Sequence, residues 1–251
     1  METYRNKSGA QITQINPAER KVLSRIIKLL GPFAKKRKLL PKIGRYKEMS
    51  AEHVWLKLVV QVCVMGKAGL IVQLMKDKKR YKDFKRKVSL RTVRRKPNPA
   101  SYLATVLSEF KATRFHPNAA DKLAKILKKP SQNLQIRDLP HRKDTEKHRQ
   151  EIMNRFGFGL KSASDFMITV GLSRDVIALD TRVVGMLKRH FGYNVGPHQV
   201  QNSRKIYVSL EDELRKVAQG RHVSLALLDR LLFQFNDLTA SYFFDKQMRS
   251  K

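Results

Sequence analysis

Cysteine is almost missing from this sequence: Cys63 stands alone among 251 residues. A secreted disulfide scaffold is therefore excluded, as are a four-cysteine iron–sulfur cluster and a zinc finger. Long apolar runs are missing too. The longest candidate, Val54 to Met65, is broken by Lys57 and Gln61 and falls short of the ~18 residues of a membrane span. Met1 to Lys7 lack the apolar stretch of a secretory signal, so a soluble intracellular protein is expected. Acidic residues are scarce: 21 Asp and Glu stand against 53 Lys and Arg, a formal charge of +32. Apolar residues still reach 41%, enough for a packed interior, which excludes full disorder.

The charge is unevenly spread, with +21 on residues 1–100 and +11 on residues 101–251. Lys76 to Lys96 holds twelve basic residues against Asp77 and Asp83, and Lys35 to Lys38 forms a second cluster. One such run reads as a solvated helix face. An excess throughout the chain repels itself, and a phosphate backbone relieves that repulsion while releasing counterions. Nucleic acid is the expected partner. A membrane surface is not, because no basic amphipathic helix carries a Trp/Phe-rich face.

Helical periodicity dominates. Ala163, Phe166, Met167 and Val170 fall on one face, as do Leu225, Leu228, Leu232 and Phe235. Strand-like alternation is scarce, Lys87 to Val93 being the nearest case. Breakers stand at Gly31-Pro32, Pro97-Asn98-Pro99, Pro130-Ser131, Leu139-Pro140 and Gly196-Pro197. The expected fold is all-α, with roughly ten helices at an average length. Trp55, Phe110 and Tyr242-Phe243-Phe244 read as core.

One segment carries chemistry: Gly157-Phe158-Gly159-Leu160-Lys161-Ser162-Ala163. Two glycines around an apolar residue permit a tight hairpin anchored by that residue, and the following helix start leaves N–H groups for a phosphate. An ordinary glycine-capped turn between helices would look the same. Lys161, however, falls in the first helical turn, where a cation opposes the helix dipole. Nineteen residues later, Val176-Ile177-Ala178-Leu179 runs into Asp180-Thr181-Arg182, with Asp180 placed to cap the next helix. The intervening helix is short enough for the chain to return and bring amine and carboxylate together.

Gly157 to Ala163 followed by Leu179-Asp180-Thr181-Arg182-Val183 resembles the helix-hairpin-helix DNA glycosylase superfamily. The wording from Gly159 to Gly171 is most similar to its second-type, archaeal-like 8-oxoguanine DNA glycosylase/AP lyases. The resemblance is strong over about Arg149 to Gly192. It implies a two-domain helical protein with a DNA-binding groove between the domains. The expected division is 47–175 as a central helical barrel carrying the hairpin, and 1–46 plus 176–251 as the second domain.

By the same resemblance, double-stranded DNA holding a damaged base is the partner, and the target nucleotide is flipped out of the stack. Lys161 attacks the sugar as the base departs, Asp180 stabilises the developing positive charge, and a Schiff base leads on to β-elimination. Gly157, Phe158, Gly159 and Arg182 are the implied DNA contacts. No metal or redox cofactor is required, and no iron–sulfur cluster is expected. A monomer is expected, associated with DNA in the cytoplasm or nucleoid, or in the nucleus of a eukaryote.

The sequence departs from the family at three places. Arg182 stands where many members have His. No Asn stands near Val64 to Lys67, so Met65, Lys67 or another loop fills the gap left by the flipped nucleotide. Phe233 or Phe235 is the nearest candidate for a base-stacking Trp. Lys251 matches a terminal lysine whose carboxylate helps read the base. Alternatives remain: a glycosylase for another lesion using the same pair, a non-catalytic DNA-binding hairpin protein, or a structural RNA-binding protein.

Overall fold

A computed structural model of the chain describes residues 15, 17–36, 39–130, 134–139, 144–191 and 195–234. Among them, twelve α-helices and two short 3-10 turns account for the regular structure, with no strand. They are α1 (Pro17–Lys36), α2 (Ala51–Lys76), α3 (Lys78–Lys87), α4 (Leu90–Arg94), α5 (Pro99–Glu109), α6 (His116–Leu127), α7 (Thr145–Phe156), α8 (Leu160–Val170), α9 (Thr181–Phe191), α10 (Pro197–Asn202), α11 (Arg204–Gln219) and α12 (Leu225–Gln234). The all-α expectation holds. Among the described residues no helix is long and apolar enough to cross a membrane.

Two expectations need correction. The near-alternating stretch Lys87 to Val93 is not extended: it turns into α4. Ser89 caps that helix by accepting from the Thr92 N–H, and both Glu52 carboxylate oxygens accept from the Leu90 N–H at 3.1 Å. These side-chain acceptors satisfy donors a strand would have given to a neighbour. Nor does Gly31-Pro32 break a helix, since α1 runs through Pro32. Pro32 and Lys28, one turn back, are both exposed, so the carbonyl that loses its donor lies on the solvent side of the helix.

The chain divides into two compact units, 1–43 with 159–251, and 44–158. The division thus falls at the hairpin, ahead of the expected 175/176. Side chains explain it: the Tyr207 hydroxyl of α11 lies 3.2 Å from Ser164 Oγ, and Arg230 of α12 reaches Asp165 and Thr169, all three on α8. In the 44–158 unit, α2 packs against α3, α4 and α6, and α5 lies along α6. Trp55 is fully buried there, its Nε1 donating to the Val88 carbonyl at 2.6 Å. Cys63 is also buried, which pushes its thiol up to about 12 and makes it an inert core residue. In the other unit α12 packs on α1, α9 and α11, and Arg20 of α1 pairs with the buried Glu213 of α11 at 2.7 Å. Phe110 is core as expected; Tyr242 to Phe244 lie outside the described residues.

Candidate active site

The hairpin begins where α7 ends. Gly157 caps α7 at φ +61°, a left-handed conformation that costs a Cβ-bearing residue energy. Phe158 is buried, its ring centroid 5.6 Å from that of Phe156. Lys122 of α6 closes the turn from the side: its Nζ donates to the Gly157 carbonyl at 2.7 Å and sits 5.6 Å from the Phe158 ring centroid. Burial, reinforced by Lys125, holds the Lys122 ammonium below the usual lysine range. The Phe158 side chain is therefore an anchor. Sequence reasoning missed Lys122, which lies 35 residues before Gly157.

Gly159 behaves differently from Gly157. Its φ of −79° suits any residue, and a Cβ placed there would meet nothing within 4 Å. Neither backbone nor internal packing asks for glycine at this exposed position. It is the N-cap of α8, whose first return bond runs from the Ala163 N–H to the Gly159 carbonyl at 2.9 Å. The N–H groups of Leu160, Lys161 and Ser162 precede that bond and have no hydrogen-bond partner among the described residues.

Lys161 lies in that first turn with its side chain 20% exposed, and its Nζ stands 3.8 Å from Asp165 Oδ2. The other Asp165 oxygen takes the Arg230 guanidinium at 3.0 Å, and Arg230 also donates to Thr169 at 3.2 Å and lies 3.3 Å from Asp229. Asp229 in turn accepts the Ala178 N–H at 2.8 Å. A line of charges thus runs from Lys161 to the strand-like segment that delivers Asp180. Burial pushes the Asp229 carboxyl up to about 7, against the pull of Arg230. Burial lowers the Arg230 guanidinium, but Asp229 and Asp165 outweigh it and hold the group charged.

Val176 to Leu179 form no helix, yet all four side chains are buried. A buried segment of that kind must find partners for its backbone. Glu211 accepts the Ile177 N–H at 3.1 Å, Asp229 the Ala178 N–H, and the Tyr207 hydroxyl the Leu179 N–H at 3.3 Å. The same Tyr207 hydroxyl donates to the Ile177 carbonyl, and Gln201 donates to that of Leu179. This explains why Glu211, Tyr207 and Asp229 sit buried among apolar neighbours.

At the end of this segment Asp180 caps α9, its Oδ1 accepting from the N–H groups of Arg182 at 3.0 Å and Val183 at 2.8 Å. Its Oδ2 has no hydrogen bond among the described residues. Lys161 pairs with Asp165 and not with Asp180, and both Lys161 and Asp180 belong to the 1–43/159–251 unit. Arg182 is exposed, its guanidinium 4.8 Å from the ring centroid of Phe233, itself 38% exposed. The structure brings these two expected residues together. Phe235 and Lys251 lie outside the described residues. Met65 is exposed on α2, and the Lys67 side chain lies outside the description.

The profile of the 8-oxoguanine DNA glycosylase family matches residues 88–223, more than half of the chain and all of the site from Gly157 to Arg182. A protein of Saccharolobus solfataricus named 8-oxoguanine DNA glycosylase/AP lyase is 28% identical over 90 residues, 36% of this chain and 42% of that protein. Its counterpart in Saccharolobus islandicus is 29% identical over 91 residues, again 42% of its length. The chain thus spans less than half of the relatives it matches in sequence. The crystal structure of Methanocaldococcus jannaschii 8-oxoguanine DNA glycosylase superposes with a TM-score of 0.67 at 18% identity, covering 89% of this chain and 97% of that one. With the hairpin, Lys161 and Asp180 inside the matched region, the chain belongs to the 8-oxoguanine DNA glycosylase family of helix-hairpin-helix proteins.

Proposed function

We propose that this protein is a base-excision glycosylase and AP lyase that removes 8-oxoguanine from duplex DNA, with Lys161 as nucleophile and Asp180 as its electrostatic partner. The observation that carries the reading is the state of the two groups. Lys161 is a half-buried amine held by one carboxylate, while Asp180 is fixed by two backbone donors and keeps Oδ2 open. Only fixed groups of this kind stabilise a transient charge without reorganising.

The chemistry follows from the residue types. Lys161 Nζ gives up a proton, for which Asp165 is a nearby acceptor, and attacks the sugar C1′ as the bond to the base breaks and its electrons leave with the base. Asp180 Oδ2 faces the positive charge on the sugar. Ring opening gives a Schiff base; loss of a C2′ proton then expels the 3′ phosphate, and water releases the lysine. The sequence of steps asks for no metal or redox cofactor. The names of the relatives support the substrate, and the missing Cβ at Gly159 supports close approach of a phosphate to the start of α8.

Single-turnover excision on duplexes holding 8-oxoguanine, uracil, thymine glycol or an alkylated purine tests the substrate. 8-Oxoguanine is expected to be cut fastest by at least tenfold. A faster rate on another lesion reassigns the base while leaving Lys161 and Asp180 in place.

A further inference from the structure

The basic stretch Lys76 to Lys96 is absorbed by none of the site's residues. It forms α3 and α4 and the turns beside them, all within the 44–158 unit. Three features set it apart from an ordinary solvated face. First, six of its cations lack acids: Lys78, Lys79, Lys82, Arg91, Arg94 and Arg95 are exposed, and none has an ion pair among the described residues. Of the nearby acids, Asp77 caps the Arg80 N–H, Asp83 pairs with Arg86, and Glu109 pairs with Lys87, which leaves none for these six.

Second, the charges are placed where they weaken the free protein. α3 has no acid in its first turn and carries Lys78, Lys79 and Arg80 there, against the helix dipole. Lys78 with Lys82, Lys82 with Arg86, and Arg91 with Arg95 are like charges at i, i+4, a spacing that costs helix stability. Third, three cations that have no ion pair among the described residues lie over aromatic faces. Lys85 lies 5.1 Å from the Tyr81 centroid, Arg80 5.8 Å from Phe110, and Lys96 4.7 Å from Tyr102. A cation–π contact fixes a side chain without cancelling its charge.

We propose that α3 and α4 form a dedicated duplex-DNA contact surface that grips backbone phosphates regardless of lesion. A phosphate row supplies what the free surface lacks: counter-charge for every unpaired cation and relief of the like-charge repulsion. The proposal rests on the reading of the chain as an enzyme acting on DNA. It assigns this surface to affinity and scanning of undamaged duplex.

The test is the full-length chain carrying Lys78→Gln, Lys79→Gln, Lys82→Gln and Arg91→Gln, in which glutamine keeps helix propensity. Binding to an undamaged 20-base-pair duplex is measured across a salt series. Each lost phosphate contact should lower the slope of log K against log salt by about 0.9, so the variant should lose at least about 1 from the wild-type slope. Its melting temperature should equal or exceed that of wild type, because like-charge repulsion has been removed. A smaller loss of slope overturns the proposal. So does a wild-type chain from which structured RNA displaces the duplex at tenfold lower concentration than unlabelled DNA, which would make the surface an RNA site. Because the duplex holds no lesion, a chain that binds this way yet never excises 8-oxoguanine refutes the enzymatic reading and not this one.

Discussion

The Lys161 ammonium lies 3.8 Å from Asp165, one helical turn further along α8, and Asp165 is gripped from its other side by Arg230 at 3.0 Å. The carboxylate beside Lys161 is thus itself anchored to α12.

In the proposed mechanism Asp165 holds the Lys161 amine and accepts its proton, so Asp165→Asn should slow Schiff-base formation by about tenfold, ~1.4 kcal/mol of barrier. Affinity for undamaged duplex should stay within twofold. Single-turnover trapping rates set beside binding isotherms check this; equal losses in both would mean the substitution merely damages the fold.

Asp229 gives a pH signature. Its folded carboxyl titrates near 7 and an unfolded aspartate near 3.9, so the folded chain keeps a proton the unfolded chain has lost. Stability contributed by this group therefore falls as pH rises from about 4 to about 7. Asn at 229 can still accept the Ala178 N–H and does not titrate. Melting curves of wild type and Asp229→Asn should differ in slope across that window, with wild type losing more stability toward neutral pH.

The two hairpin glycines should respond in opposite ways. Gly157→Ala forces a Cβ into a left-handed backbone and should cost about 1–2 kcal/mol, or a few degrees of melting temperature. Gly159→Ala has open space and an ordinary φ, so its melting temperature should change by less than about 2 °C. Gly159→Ala should nevertheless weaken duplex binding by threefold or more. A loss of stability without a loss of binding would place no phosphate at Gly159.

Phe233 is exposed and carries Arg182 on its face, so neither residue is needed for the core. Phe233→Ala should leave the melting temperature nearly unchanged and slow base excision by about tenfold. Nicking of a duplex that already holds an abasic site should be spared, since no base remains to be stacked. Parallel loss on both substrates would remove Phe233 from base recognition.

Much of the local machinery is readable along the chain. Gly157, Phe158, Lys161 and Asp180 are close in sequence, and a hairpin, a first-turn lysine and an N-cap each have a short-range signature. The supporting shell is not. Arg230 meets Asp165 across 65 residues and Tyr207 meets Leu179 across 28, and such partners sit on amphipathic helices where any polar residue looks like surface. One signal was available: Asp229-Arg230 interrupts the apolar run from Leu225 to Leu232, and an acid–base pair inside a buried face needs internal partners. Pro32 misleads for the opposite reason. A helix tolerates a proline on its solvent side, and exposure cannot be read from Gly31-Pro32 alone.

The proposed mechanism requires Lys161 to become covalently bound to the sugar. Borohydride trapping with an 8-oxoguanine duplex, followed by mass spectrometry of the proteolysed adduct, measures it directly. One cross-linked peptide carrying the sugar on Lys161 is expected, and no adduct from Lys161→Gln. An adduct mapped to any other amine, or excision with no trapped species in wild type, would contradict it.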